Sequence, residues 1–279
     1  MKKYSRVYIE ITNVCNKSCT FCPKTKRQPL RMSKEQFDLI TDKLKGVTDY
    51  IYLHLMGEPL MHPELTNFIK LASDKGFKCA VTTNGTLLNR LGDAIIDAGV
   101  YKVNISVHSF EEGTDEEQLA YLNLCMEFAE KAQKSGVLTV FRLWNQGYDN
   151  GRNLDIEAAL RSFFADGEWV YGERGARIKH KLHLEYGERF DWPDTEISPL
   201  GEEAFCYGLN DHFGILSDGR VVPCCLDKDG DITLGNIFES DISDILSSTR
   251  AVKVCEGFKN KHAVEQLCQR CGYARRFKV

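Results

Sequence analysis

The chain has 279 residues, 43% of them hydrophobic, and a formal net charge of −4 at pH 7. That supplies enough apolar material for a substantial core and no global positive field of the kind that attracts nucleic acid. Eleven cysteines, odd in number and unevenly spread, argue against a disulfide framework; with no apolar run long enough for a leader or a membrane span, they predict ligands in a reducing, cytoplasmic setting.

Strand-like runs at 7–12, 50–55, 78–83, 102–107, 138–143 and 177–185 alternate with helical periodicity at 33–45, 62–75, 87–98, 115–135 and 154–165. Ser33 with Gln36, and Asp115 with Gln118, read as capping boxes, and Gly76, Gly99 and Gly136 as C-terminal stops. Six βα units in series predict an α/β fold with parallel strands, right-handed crossovers and a ligand site at the strands' carboxyl ends. Segment 166–205, rich in charge, Gly and Pro, reads as a last strand followed by a linker. Residues 206–279 carry six of the eleven cysteines and read as a small second module. The expected divisions are 1–186, a linker at 187–205, and 206–279.

Directly after the first strand, Cys15, Cys19 and Cys22 form C-x3-C-x2-C, with no further Cys or His in the next thirty residues. A structural zinc site closes with four ligands. Three thiolates instead suit a 4Fe–4S cluster with one iron left open to a small molecule. The second strand ends His54-Leu55-Met56-Gly57-Glu58-Pro59, the third Thr82-Thr83-Asn84-Gly85, the fourth Ser106-Val107-His108-Ser109 and the fifth Arg142-Leu143-Trp144-Asn145. Each finishes in hydrogen-bonding residues, as a barrel mouth that binds a polar cofactor requires. His54 and His108 read as hydrogen-bonded core residues; Arg142, His108 and Glu185 are the mouth candidates for handling a proton.

The cysteine spacing, followed one strand later by Gly57-Glu58-Pro59, resembles the radical S-adenosylmethionine (radical SAM) enzymes over about residues 5–186. Met56 stands where that family's motif has its first Gly. The resemblance implies a partial (β/α)6, TIM-like barrel whose open-site cluster binds S-adenosylmethionine and cleaves it reductively. The resulting 5′-deoxyadenosyl radical would abstract a substrate hydrogen. By the same resemblance Gly57, Glu58 and Pro59 hold the methionine amino group, Asn84 and Ser106 meet ribose or carboxylate, Phe21 packs near the adenine, and Arg142 joins the cofactor-binding residues.

In the second module, Ser217-Asp218-Gly219 marks a hairpin turn that brings Cys206 and Cys224 together, and Cys268-Gln-Arg-Cys271 supplies a two-residue-spaced pair. Four such thiolates make either a zinc knuckle or a fully ligated 4Fe–4S cluster. Gly219 followed by four residues and Cys224 resembles the SPASM domain or its shortened twitch form, which implies one auxiliary cluster on Cys206, Cys224, Cys268 and Cys271. Strand alternation forbids Cys224 and Cys225 from pointing at one cluster. Cys225 and Cys255 are spare, Cys79 and Cys125 read as core, and Gly235-Asn236-Ile237 as a turn leading into an amphipathic helix.

The expected function is a radical SAM oxidoreductase that oxidises or rearranges a C–H bond, with the auxiliary cluster accepting an electron or gripping substrate. It implies an external electron donor of flavodoxin or ferredoxin type and a small-molecule or peptide substrate, with no membrane partner. The alternatives are modification of a ribosomally made peptide or of RNA, and, in a different class, an iron–sulfur electron carrier. Against RNA stands the mixed charge of Arg174–Arg189 and the shortness of the basic tail from Arg275.

Overall fold

The first strand, β1 (Arg6–Ile9), sets the logic of the whole molecule. Val7 and Ile9 are fully buried, while Arg6 and Tyr8, which alternate with them, are not, because successive side chains of a strand face opposite sides. One side packs on helices; the other faces a concave interior. In the computed structural model, which describes residues 3–277, the chain continues as α1 (Lys34–Lys43), β2 (Tyr50–Tyr52), α2 (Leu65–Asp74), β3 (Lys78–Thr83), α3 (Leu88–Asp97), β4 (Lys102–Ile105), α4 (Asp115–Lys134), β5 (Leu138–Gln146) and α5 (Arg152–Phe163). There follow β6 (Val170–Gly172), β7 (Gly175–Lys179), β8 (Leu182–Glu188), β9 (His212–Ile215), β10 (Arg220–Val222), β11 (Gly235–Asn236), α6 (Ile242–Leu246), α7 (Thr249–Lys259) and α8 (Gln266–Gln269).

One sheet holds all the strands, in the order β11-β10-β9-β1-β2-β3-β4-β5-β8-β7-β6. The six strands β1, β2, β3, β4, β5 and β8 pair in parallel, and the sheet does not close on itself. This is a partial (β/α)6 barrel. The sheet runs on without a break, because β9 pairs in parallel with β1 in the register Val7↔Phe213 and Ile9↔Ile215.

The helices bury the apolar stripe the periodicity calls for. Phe37 of α1 stacks on Phe68 of α2 with centroids 4.4 Å apart, a contact worth about 1 kcal/mol beyond its buried area. Ser33 and Gln36 form the expected capping box. Gly76, Gly99 and Gly136 end their helices with φ between 80° and 87°, the left-handed region where Gly carries no Cβ penalty.

Several local expectations change. The N-cap of α4 is Thr114 with Glu117, not Asp115 with Gln118; Asp115 sits in the first turn and complements the helix dipole instead. The run 177–185 is two strands, the β7–β8 hairpin turning at Lys181 with φ 58°, and a further short strand, β6, precedes it where none is expected. Gly235-Asn236 is no turn but the strand β11, paired with β10. In the tail, Arg275 donates to the carbonyls of Glu203 and Gly201, and Arg276 lies 3.8 Å from Glu188; Lys278 lies outside the described residues.

Candidate cofactor and cluster sites

The loop from Glu10 to Met32 carries the first three cysteines across the carboxyl edge of the sheet. Its ends are tied by polar clasps. Arg27 forms a two-pronged ion pair with Glu10 (2.7 and 2.6 Å), and the same carboxylate accepts Ser217 Oγ at 2.8 Å, Ser217 N at 3.2 Å and Met56 N at 3.2 Å. Glu10 is fully buried, so this pair persists only because every lone pair is matched. Asn13 adds Nδ2 to Gln28 O (2.9 Å) and accepts Leu30 N (2.7 Å). None of these clasps stood out in the sequence.

Between the clasps, Lys17 N donates to Cys15 Sγ at 3.4 Å and Asn84 Nδ2 approaches the same sulfur at 4.0 Å. Such N–H groups stabilise a thiolate. Without a metal, burial, then Glu111, pushes the Cys19 thiol up to about 11. The loop is braced against the strand ends: Lys17 Nζ reaches Ser109 O (3.1 Å), and Thr20 N donates to Glu111 (2.6 Å). The donor chemistry and backbone support fit a three-thiolate cluster.

Gly57-Glu58-Pro59 packs onto this loop. Gly57 has φ +77°, and a Cβ there would fall 2.4 Å from Thr12 O; Glu58 N donates to Val14 O at 2.9 Å. The Glu58 carboxylate is buried and accepts Leu60 N (3.0 Å) and Asn84 N (2.7 Å). Burial raises its pKa to about 7, against those amides. Pro59 is buried at the start of the following helical turn. Asn84 spans Asn16 and Thr86. Ser106 caps the turn after β4 without a side-chain bond. Phe21 lies 5.0 Å from His108, and both line a cavity of about 320 Å³ with Phe110 and Arg152. His108 is buried, with Nδ1 against Arg142 O at 2.9 Å.

Arg142 is elsewhere. It bonds Glu185 through Nε at 3.2 Å, stacks over Trp144 at 4.5 Å, and does not line the cavity of Phe21 and His108. Together with Arg6, Tyr8 and Tyr52 it lines two interior cavities of about 340 and 600 Å³. A usable signal for this interior lies in β1 itself: polar Arg6 and Tyr8 alternate with Val7 and Ile9 in a parallel strand, where near-continuous apolar runs are usual.

The smaller interior cavity reaches Cys206, Cys224, Cys225, Cys268 and Cys271. Cys206 Sγ and Cys224 Cβ both flank Gly208, 3.7 and 3.6 Å from where its Cβ would lie, and Gly208 N donates to Cys206 Sγ at 3.4 Å. Burial and the surrounding thiols hold Cys224 well above the ordinary thiol range, which only cluster formation would reverse. Cys225 lines the same cavity but also meets Tyr8 and packs on the apolar group Leu55, Met56, Leu216 and Val222, against which Cys22 also packs. Strand alternation does not govern the two neighbours, since β10 ends at Val222 and both cysteines lie in the bend and turn beyond it. Gly219, with φ +85°, makes the β9–β10 turn. Among the described residues no three Cys, His, Asp or Glu side chains gather as closely as a single metal ion requires.

Residues 9–144 match the family model of the Radical SAM superfamily, and 206–272 match the SPASM iron-sulfur cluster-binding domain. A GTP 3',8-cyclase of Aliarcobacter butzleri is 30% identical over 146 residues, 49% of this chain and 45% of that protein; the chain thus spans less than half the length of that relative. The sporulation killing factor maturation protein SkfB of Bacillus subtilis is 26% identical over 89% of this chain and 66% of its own. The fold matches the crystal structure of BtrN in complex with AdoMet and 2-DOIA (TM-score 0.62, 17% identity, 97% of this chain and 94% of that one). It also matches anSMEcpe with bound AdoMet (TM-score 0.63, 14% identity, 96% and 88%).

Proposed function

Because this chain belongs to the radical SAM superfamily and carries a SPASM iron–sulfur domain, we propose that it is a radical SAM oxidoreductase acting on a C–H bond. Cys15, Cys19 and Cys22 would hold the open-site 4Fe–4S cluster, and Cys206, Cys224, Cys268 and Cys271 an auxiliary one. When bound, the first cluster and S-adenosylmethionine supply a 5′-deoxyadenosyl radical that takes a hydrogen atom from substrate. The observation that carries this reading is the Gly57-Glu58-Pro59 turn packed on the three-cysteine loop, with Glu58 N on Val14 O and no room for a Cβ at Gly57.

The chain's own residues divide the work. Glu58 fixes the Gly57–Pro59 turn by its two backbone bonds, leaving that turn to receive an ammonium group. Asn84 and Ser106 stand at adjoining strand ends for ribose or carboxylate, and Phe21 with His108 offers a flat wall for an adenine. Apolar Leu55, Met56, Leu216 and Val222 keep water from the space between Cys22 and Cys225. Residues 1–186 form the barrel unit, 187–205 a connector and 206–279 the auxiliary unit. An external electron donor of flavodoxin or ferredoxin type and a cytoplasmic setting complete the reading. No helix among the described residues is long and apolar enough to cross a membrane.

The test is anaerobic reconstitution followed by dithionite and S-adenosylmethionine. Formation of 5′-deoxyadenosine is expected from the wild type and not from the Cys15→Ala, Cys19→Ala, Cys22→Ala triple variant. Product from that variant would overturn the assignment of the cluster to these three cysteines, and no product from the wild type would leave an electron carrier as the better reading.

A further inference from the structure

The two interior cavities share one wall, made of Arg6, Tyr8, Tyr52, Arg142 and Trp144. Beside the Tyr52 hydroxyl, which can donate or accept, its unengaged polar groups are nitrogen donors. Arg142 spends Nε on Glu185 and its face on Trp144, leaving both Nη groups, the edge that grips an oxyanion with two parallel bonds, unused. Among the described residues the Lys102 side chain, which lines the larger cavity, forms no hydrogen bond or ion pair. Trp144 Nε1 is buried without a partner.

His54, in the wall of the smaller cavity, adds a fourth donor. Asn104 Nδ2 donates to Thr82 Oγ1 at 3.0 Å, which frees the Thr82 hydroxyl to donate to His54 Nε2 at 3.3 Å. The ring proton then sits on Nδ1, an atom buried with no partner. Burial and the cations Arg142, Lys102 and Arg6 lower the pKa of His54 to about 3, and no carboxylate acts on it from the other direction. Glu185 is taken by Arg142 and Asp211 by Arg6 at 3.3 Å. Of the larger cavity's other charged residues, Glu188 lies 3.8 Å from Arg276, and Glu173 is balanced by Arg174 beside it in the chain, so the Lys102 ammonium is left over.

A set of buried donors with a surplus cation lacks one thing, an oxyanion to accept from it. We propose that the substrate carries a carboxylate or phosphate group, bound inside the barrel by Lys102 and the Arg142 fork with His54 Nδ1–H, its remainder lying against Tyr8 and Tyr52. This rests on the radical SAM reading and names the chemical class of its substrate. It moves Arg142 from the cofactor to the substrate.

The probes are inorganic phosphate and acetate, with glycerol as the neutral control, titrated calorimetrically into the reconstituted full chain with S-adenosylmethionine present. Phosphate or acetate is expected to bind while glycerol does not, and the tighter anion identifies the group. Lys102→Met and Arg142→Met should each weaken binding roughly tenfold or more, whereas Lys45→Met, on an exposed lysine paired with Asp42, should bind as the wild type does. Iron content checks that each variant is folded; should Lys102→Met lose iron, Lys102→Gln and His54→Phe replace it. Equal affinity in wild type and variants, or no anion binding at all, overturns the inference. A parallel assay of 5′-deoxyadenosine separates the two readings: product without anion binding sinks only the substrate class, while no product sinks the enzyme assignment whatever the anion does.

Discussion

At the scale of single residues, the neighbours Cys224 and Cys225 make different contacts in the second module. Cys224 shares Gly208 with Cys206, while Cys225 faces Tyr8. The reconstituted wild type should hold about eight irons, four per cluster. Cys224→Ala should fall to about four irons by colorimetric assay and Cys225→Ala should keep about eight; the reverse pattern would exchange their roles. His108 gives a second residue-scale test. Burial, then the Arg142 charge, lowers its pKa from 6.5 to about 4 despite its bond to Arg142 O. A folded-state pKa below the unfolded one means stability present above pH 6.5 and lost as pH falls toward 4. Between pH 6.5 and 5 the loss from this group is about 2 kcal/mol. His108→Phe should therefore flatten the decline of denaturant midpoint with acid in the cluster-free protein. Glu58, whose pKa is raised to about 7, works in the opposite sense and is common to both proteins, so the difference isolates His108. An unchanged slope would mean that His108 titrates like an exposed histidine.

At the scale of elements, the turn after β2 and the cysteine loop after β1 are built as one object. Gly57 needs both its positive φ and its missing Cβ, since Thr12 O and the Asn13 backbone occupy that space. Backbone cannot give way as a side chain end does. Gly57→Ala should cost at least about 2–3 kcal/mol through strain and displacement, and it should loosen the loop enough to lower the iron bound by the first cluster. Chemical denaturation and iron content of the variant measure both; wild-type values for each would show that the two elements are independent. The capping of α4 carries the same lesson at lower stakes. Thr114 and Glu117 close the box one residue earlier than the sequence pattern suggests, because Gly113, with φ 129°, turns the chain just ahead of it.

At the scale of the molecule, barrel and second module share a sheet, through β9 on β1, and a buried clasp, through Glu10, Arg27 and Ser217. Glu10→Gln leaves Arg27 buried and half-paired, a change expected to cost about 3–5 kcal/mol. In wild type, urea unfolding followed by tryptophan fluorescence and by far-UV circular dichroism should give one shared midpoint, the sign of a single cooperative unit. Two separated midpoints would mean that the second module unfolds on its own.

What the sequence alone determined is local chemistry and local rhythm. The thiol spacing, the Gly57-Glu58-Pro59 turn, the Ser33 cap and the six βα units follow from residues close together along the chain, where dihedral preference and side-chain period act directly. Tertiary structure decided whatever depends on distant residues. Glu10 meets Ser217 across 207 positions, so nothing near either one marks it as the clasp. The run 177–185 alternates as one strand would, and only pairing of β7 with β8 shows the turn at Lys181. Arg6, Tyr8, His54, Lys102 and Arg142 belong to three different strands and the loop after a fourth, and their joint character as a donor-lined interior arises only when parallel pairing turns one face of each strand inward. A single strand records which residues are polar; the sheet decides which of them meet.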